Sequence, residues 1–143
     1  MYFQGIEKRF GTQAAAEIDA EVWSAMAKME ATALKRTFNV DDSPDVGAVV
    51  GLLKKSSWAL DQPFKTIRID DGLATLRIDR CRTQEARLRK RLGEFPCKRV
   101  RLGYLERFAV ALNPRMVVKC LVCPPDEHPG DLWCEWELRM GPE

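Results

Sequence analysis

The segment KTIRIDDGLATLRI, residues 65–78, decides the fold of this chain. Its apolar residues alternate with polar ones on both sides of the Asp71-Gly72 dipeptide: Ile67, Ile69, Ala74, Leu76 and Ile78. A period of two is typical of a half-buried strand, and an Asp-Gly pair readily adopts the positive φ angles of a tight hairpin turn. The segment therefore predicts an antiparallel β-hairpin.

Outside this hairpin the apolar spacing changes to three and four, which indicates amphipathic helices. We predict helices over residues 13–38, from Ser43-Pro44-Asp45 to about residues 58–63, over residues 83–92 and over residues 98–112. The apolar stripe expected to be buried in the first helix comprises Ile18, Val22, Ala25, Met26, Met29, Ala33 and Leu34.

The chain ends with a second pair of alternating segments, residues 116–122 and 132–140, on either side of a Pro- and Gly-rich loop. The resulting order is two N-terminal helices, a β-hairpin, two helices and a β-hairpin. Strands that arrive as hairpins, without βαβ crossovers, favour an α+β fold with helices packed on an antiparallel sheet.

Composition limits the class of protein. The chain has 143 residues and a formal net charge of +2, with 45% hydrophobic and 31% charged residues. These values are typical of one soluble globular domain and exclude disordered, collagenous and membrane-spanning classes. Residues 1–5 look like the remnant of a tag-protease recognition site, so we assign the single α+β domain to residues 6–143.

The five cysteines are an odd number, and the chain shows no basic and apolar leader. We therefore expect reduced thiols, a cytoplasmic location and no membrane partner.

Strand alternation indicates which cysteines can meet. On the last strand Cys134 and Trp136 share the apolar face, so Cys134 should point into the core. Cys120 lies among the apolar residues of the preceding strand, which permits a cross-strand contact with Cys134. Cys120 and Cys123 form a CxxC pair, but in a regular strand residues three apart point to opposite faces.

Three interpretations of the cysteines remain open. They can pack as small apolar side chains, as reduced cysteines often do. They can form a reactive-thiol pocket. Alternatively, they can bind Zn²⁺ or a softer metal. Four thiolates would make a closed site in a non-catalytic or sensing module, whereas three with an open position would let a metal-bound water perform hydrolysis; the candidate ligands are Cys81, Cys97, Cys120 and Cys134.

The second half of the chain resembles a known group of proteins. Its pattern is Cys81, Phe95-Pro96-Cys97, Asn113-Pro114, Gly130-Asp131 and Cys134 with Trp136. This pattern looks like that of cytosolic bacterial and archaeal proteins related to the L-2-amino-thiazoline-4-carboxylic acid hydrolase family. The chain is more similar to the uncharacterised relatives, which carry a Pro-Pro-Asp segment and Cys-x-Trp. The resemblance implies small-molecule chemistry in a cysteine-lined site; in the named hydrolase this chemistry is the hydrolysis of a C–N bond. At the matching positions it nominates Cys81, Cys97 and Cys134 as site residues.

Cys81 is the first candidate for a nucleophile. It lies between Arg80 and Arg82, just before a predicted helix, where positive charge and the helix dipole would lower the pKa of a thiol. Cys97, Cys134, Arg82 and Trp136 are the candidates for binding a small anionic substrate.

Charge is unevenly distributed along the chain. Residues 80–101 contain nine Lys and Arg and two Glu, whereas residues 125–143 contain six acids and one base. Arg87, Lys90 and Arg91 fall on one predicted helical face, which could be a solvated face, a docking patch or an attractor for an anionic substrate. The same face could also neutralise phosphates, but no helix-turn-helix or aromatic RNA motif accompanies it, so we rank a nucleic-acid accessory role last among the alternatives.

The remaining polar candidates favour structural roles. His128 lies in the loop at the tip of the second hairpin, where we expect it to be exposed. Glu135 and Glu137 share one face of the last strand, where we expect a solvated or helix-covered polar surface.

Overall fold

The computed structural model describes residues 2–142 and has the predicted α+β fold. Its elements are α1 (Tyr2–Thr37), α2 (Val46–Leu53), α3 (Ser57–Asp61), β1 (Lys65–Asp70), β2 (Leu73–Ile78), α4 (Arg82–Arg89), α5 (Lys98–Leu112), β3 (Met116–Val122) and β4 (Cys134–Met140). The predicted second helix is in fact two helices, since Asp45 rather than Ser43 caps α2 and a new N-cap at Ser56 begins α3.

All four strands form one antiparallel sheet in the order β1-β2-β4-β3. The predicted turn between β1 and β2 is confirmed, with φ angles of 46° at Asp71 and 74° at Gly72. The central strands β2 and β4 pair directly, so the two hairpins join into a single layer. The buried face of this layer, including Leu76 and Trp136, packs with α5 in one core.

α1 buries a different face from the one predicted. Its buried residues are alanines: Ala15, Ala16, Ala20, Ala27 and Ala31. Ile18, Val22 and Met29 of the predicted stripe are 37%, 39% and 72% exposed. Small side chains let two helix backbones approach closely, so an alanine face can pack against a neighbouring helix while larger apolar residues remain at the surface.

A break at Gly11 separates the first turns of α1 from the rest of the helix, because the φ of 86° and ψ of 165° at this residue are not helical. Before this break, Phe3 packs edge-on against Phe95 with 4.6 Å between ring centroids. The interpretation of residues 1–5 as a tag remnant stays a prediction, and Met1 lies outside the described residues. Despite the length of α1, no helix within residues 2–142 has the apolar character needed to cross a membrane.

Candidate functional site

Three of the nominated cysteines converge at the edge of the core. Cys81 precedes α4, Cys97 precedes α5, and Cys134 begins β4. All three line one small cavity of about 10 Å³. The three cysteines converge because the topology brings two helix N-termini and the start of a strand to the same point.

Cys123 joins this cluster, contrary to the expectation from strand alternation. A bulge between Cys120 and Val122 shifts the register, so that Cys120 lies opposite Trp136 but Val122 lies opposite Glu135. The extra residue reverses the alternation and directs the next side chain back to the core face. Cys123 is fully buried, and its Sγ lies 3.4 Å from Sγ of Cys97.

Cys120 lies apart from the cavity. It is half-buried and lies opposite Trp136, whereas Cys134 pairs in register with Ile78 of β2, so Cys120 and Cys134 are not directly opposite each other and a contact between them stays a prediction. Burial raises the pKa of the Cys120 thiol to about 11. Within residues 2–142 no group of three or more His, Cys, Asp or Glu side chains is arranged to hold a metal ion. The four cysteines of the metal interpretation therefore do not form a tetrahedral set.

The surroundings of Cys97 favour its thiolate. The thiol of Cys123 donates toward it, Arg101 adds positive charge, and the Gln84 side-chain amide donates from 3.6 Å. The contact with Cys123 has the largest effect. Together these groups lower the pKa of Cys97, although burial acts in the opposite direction. Contacts with Cys134 and Cys97, together with burial, raise the pKa of the Cys123 thiol, which therefore stays protonated. The N-terminal end of α5 adds a favourable dipole at Cys97.

Cys81 behaves in the opposite way. Burial raises its pKa to about 11, so the lowering predicted from the flanking arginines is wrong. The Arg80 side chain is 63% exposed and lies over the Phe64 ring, where its guanidinium carbon is 4.4 Å from the centroid. Its charge is thus in solvent rather than at the Cys81 sulfur, because a residue that flanks another in sequence need not face the same side.

A larger cleft of about 780 Å³ lies beside the cysteine cavity, between α1, α3, α4 and α5. Arginines, acids and aromatic rings line it: Phe3, Asp19, Trp23, Asp61, Phe64, Arg80, Arg82, Glu85, Arg87, Arg89, Phe95 and Arg101. Thr83, Phe95 and Arg101 line both the cleft and the cysteine cavity, so they form the boundary between the two. Arg82 lines the cleft, and its role in substrate binding stays a prediction. Trp136, the other predicted binding residue, lines neither the cleft nor the cysteine cavity. It is fully buried on the core face of β4.

Arg101 is the central charged group of this boundary. It is only 8% exposed, donates from Nη2 to the Asp61 carboxylate, and lies over the Trp23 ring with 4.6 Å between Cζ and the centroid. Its Nη1 is buried and has no hydrogen-bond partner among the described residues. A buried guanidinium N–H without a partner is costly, and an anionic acceptor would satisfy it. The sequence placed Arg101 in the basic segment but did not single it out.

Asp19 of α1 also lines the cleft. Burial raises its pKa, and the positive charge of Arg101 only partly opposes this effect. The Asp19 carboxyl group therefore holds a proton more readily than an ordinary aspartate does.

The predicted basic face of α4 does not form. Arg87 is buried, where it donates to the Glu7 carboxylate and to the carbonyls of Leu92 and Gly93. Lys90 and Arg91 follow the end of α4 and are exposed. Arg87 is thus unavailable to a phosphate backbone, because its side chain holds two segments of the fold together.

The other candidates lie away from the cysteines. The His128 ring packs against Trp133 with 4.9 Å between centroids, and its Nε2 is 3.4 Å from Glu94. This side chain is 12% exposed, so it is more covered than predicted. The neighbouring carbonyl of Pro129 raises its pKa. Glu135 lies on the outer face of the sheet, where its Oε2 is 3.8 Å from Nη1 of Arg77.

Comparison with known proteins identifies a family. Residues 1–140 match the model of a family of unknown function, DUF6125, and the chain belongs to this family. No curated protein and no solved structure matches the chain. The family match does not test the resemblance to the thiazoline hydrolase relatives, which stays a prediction.

Proposed function

We propose that the protein binds a small carboxylate-bearing molecule in the cleft and hydrolyses a C–N bond of that molecule at the cysteine cluster. The observation that carries this proposal is the unpaired, buried Nη1 of Arg101 at the boundary between the two spaces. An acceptor that completes the hydrogen bonding of Arg101 would also be held next to the cavity that contains Cys97.

The composition of the cleft supports an anionic ligand. Guanidinium groups bind carboxylates through paired hydrogen bonds, and the Trp23 and Phe95 rings provide apolar surface for the remainder of the molecule. Arg80, Arg82 and Arg89 surround the cleft, where their charge raises the local concentration of anions. The volume of about 780 Å³ lies within the range of small-molecule sites.

The electrostatics support Cys97, rather than Cys81, as the nucleophile. In the proposed reaction the Cys97 thiolate attacks the carbon of the C–N bond, a C–S bond forms, and the C–N bond breaks. Asp19 supplies a proton to the departing nitrogen, which its raised pKa permits. Water then cleaves the C–S bond, which returns the thiol and completes a net hydrolysis. Cys81 and Cys134 line the small cavity beside Cys97, which has room for about one water molecule, as the second step requires.

Calorimetric titration tests the binding step. The probes are 2-aminothiazoline-4-carboxylate, taken from the resemblance, and its neutral carboxamide. We expect the carboxylate to bind and the carboxamide to bind at least about tenfold more weakly, a difference of about 1.4 kcal/mol. Arg101→Lys should weaken carboxylate binding by a similar factor, because the Lys ammonium lacks the two fixed N–H directions by which Arg101 contacts Asp61 through Nη2 and would contact the ligand through Nη1.

Arg99→Gln is the matched control for this titration, since Arg99 lies on the same helix with a side chain 71% exposed. Its binding should equal that of the unmodified protein. Equal affinity for the two probes, or an equal loss in Arg99→Gln and in folded Arg101→Lys, would contradict the proposal.

Turnover of the same ring compound tests the chemical step. Cys97→Ser should abolish release of the ring-opened product while carboxylate binding persists. Cys120→Ser, a change to a cysteine outside the cavity, should leave the rate unchanged. Full turnover by Cys97→Ser would remove the nucleophile from the proposal, whereas carboxylate binding without turnover in the unmodified protein would refute hydrolysis of this bond.

The alternative of a zinc–thiolate module has no supporting donor set within residues 2–142. For the location of the protein we keep the cytoplasm as the proposal, supported by five cysteines that are all free.

A further inference from the structure

We infer that Cys97 and Cys123 form a reversible disulfide when a hydroperoxide oxidises Cys97, which makes the cysteine cluster a peroxide-sensitive modification site. This inference does not depend on the proposed hydrolysis. It rests on three features: the contact between the two sulfurs, the difference in their surroundings and the size of the adjoining cavity.

The two sulfurs are already neighbours. Cys97 Sγ and Cys123 Sγ are 3.4 Å apart, although 26 residues separate them in sequence. A disulfide needs about 2.05 Å between the sulfurs, so they must approach by about 1.4 Å. Cys97 precedes the first residue of α5 and Cys123 follows the last residue of β3. Both therefore lie at the ends of elements, where a small adjustment does not disturb a helix or strand interior.

The two thiols have different roles available to them. Gln84 and Arg101 support negative charge on Cys97, while Cys123 acts as the hydrogen-bond donor in the pair. A thiolate is the form that attacks peroxide oxygen, and a neighbouring thiol resolves the product. Cys97 is therefore the attacking residue and Cys123 the resolving residue.

The cavity next to Cys97 selects a small oxidant. Its volume of about 10 Å³ corresponds to about one water-sized molecule. Cys97 lines this cavity and Cys123 does not, so an oxidant that enters meets Cys97 first. Hydrogen peroxide is close to water in size, whereas a peptide disulfide such as oxidised glutathione is far larger.

The chemistry balances with hydrogen peroxide as the only oxidant. The Cys97 thiolate attacks one peroxide oxygen, an S–O bond forms, the O–O bond breaks, and the leaving hydroxide takes a proton to become water. The Cys123 sulfur, after giving up its proton, then attacks the Cys97 sulfur and displaces hydroxide, which leaves as a second water. Two thiols are oxidised by two electrons and one peroxide is reduced. A dithiol reductant restores both thiols.

The test uses the full, reduced chain with the single change Cys120→Ser, treated with hydrogen peroxide and then with an alkylating agent. The change is needed because Cys120 and Cys123 are too close in sequence for proteolysis to separate them easily. We expect the loss of two alkylatable thiols, a mass decrease of about 2 Da and a cross-linked pair of peptides that contain Cys97 and Cys123. Cleavage at Asp126 or Glu127 separates Cys123 from Cys134 and so identifies the partner.

Further variants assign the steps. With Cys123→Ser, the sulfenic acid on Cys97 should accumulate and be trapped by dimedone once a denaturant, added together with it, opens the cavity. With Cys97→Ser, rapid peroxide consumption and the cross-link should both disappear. Cys81→Ser is the matched control, because this cysteine lines the same cavity but has a raised pKa, and it should leave the cross-link intact.

Three results would overturn the inference: no loss of thiols from the folded Cys120→Ser chain, a cross-link between Cys123 and Cys134 instead, or oxidation by glutathione disulfide as fast as by peroxide. The readouts are masses and thiol counts, so they do not depend on turnover of any substrate. If the proposed hydrolysis fails, the disulfide between Cys97 and Cys123 is still expected. If the disulfide does not form, the proposed hydrolysis is not thereby contradicted.

Discussion

The Glu7 carboxylate accepts two hydrogen bonds from the Arg87 guanidinium, at 3.0 Å from Nη1 and 2.8 Å from Nη2, across 80 residues of sequence. The Glu7 and Arg87 side chains are 14% and 6% exposed. Arg87 also donates to two carbonyls of the segment after α4. One guanidinium thus joins the start of α1 to the end of α4 beside the cleft.

We expect Glu7→Gln to lower the free energy of unfolding by about 2 kcal/mol, because it leaves a covered guanidinium without its anionic partner. Urea unfolding followed by circular dichroism measures this change. Glu21→Gln, at an exposed position of the same helix, is the control and should change stability by less than about 0.5 kcal/mol. Equal effects of the two changes would contradict a stabilising role for the pair.

The same pair predicts a pH dependence. The Arg87 hydrogen bonds lower the pKa of Glu7 in the folded chain below its ordinary value of 4.5, and a hydrogen bond from Thr12 acts in the same direction. A carboxyl group with a lowered folded pKa stabilises the fold above its unfolded pKa and loses this contribution as the pH falls through the folded pKa. The stability difference between the unmodified chain and Glu7→Gln should therefore be constant near neutral pH and shrink below 4.5. A difference that grew on acidification would have the wrong sign.

The N-terminus of α2 provides a third prediction. The Asp45 side chain accepts a hydrogen bond from the Ala48 backbone N–H at 2.8 Å. Removing such a cap costs about 1 kcal/mol, so Asp45→Ala should lower the midpoint of thermal unfolding. Asp41→Ala, an exposed change in the preceding loop, should leave the midpoint within about 1 °C. The cap has no energetic role if both variants melt together.

Two glycines should respond to alanine with opposite signs. Gly72 has a φ of 74°, a conformation that costs a side-chain-bearing residue about 1–2 kcal/mol, so Gly72→Ala should destabilise the β1–β2 hairpin. Gly51 lies exposed within α2 with open space around its Cα, and Gly51→Ala should stabilise the chain by about 0.5–1 kcal/mol. Denaturant titration of both variants provides the comparison, and a shift of the same sign for both would be inconsistent with this account.

Cys120 should react slowly for a partly exposed cysteine. Burial raises its pKa to about 11, with Lys98 opposing and Asp126, Cys134 and Cys97 adding to the increase. Only the thiolate is alkylated, so the rate of Cys120 labelling by iodoacetamide should rise about tenfold per pH unit above neutrality until the pH approaches the pKa. Cys120→Ser should remove this phase from the reaction. A rate that levels off below about pH 9 would show an ordinary thiol instead.

Local patterns in the sequence account for much of the fold. The hairpin of residues 65–78 and the helix α5 (Lys98–Leu112) follow from alternation, turn residues and helix-ending residues, which act over a few positions. The resemblance likewise nominated Cys81, Cys97 and Cys134, which the structure places around one cavity. These features were predictable because each depends on neighbours within the same segment or on a motif that spans short segments.

Tertiary contacts decided the rest. The buried face of α1 depends on how closely α1 can approach α5. Alanines occupy that face, while Ile18 and Met29 are exposed. The bulge after Cys120 depends on pairing with β4, and it returns Cys123 to the core face, where its sulfur lies beside that of Cys97. The pKa of a thiol depends on burial and on charges from distant segments, which is why the charges flanking Cys81 did not indicate the cysteine whose thiolate is favoured. The sequence by itself determined most of the elements and the candidate cysteines, whereas packing between distant segments decided which cysteines meet and for which of them the surroundings favour the thiolate.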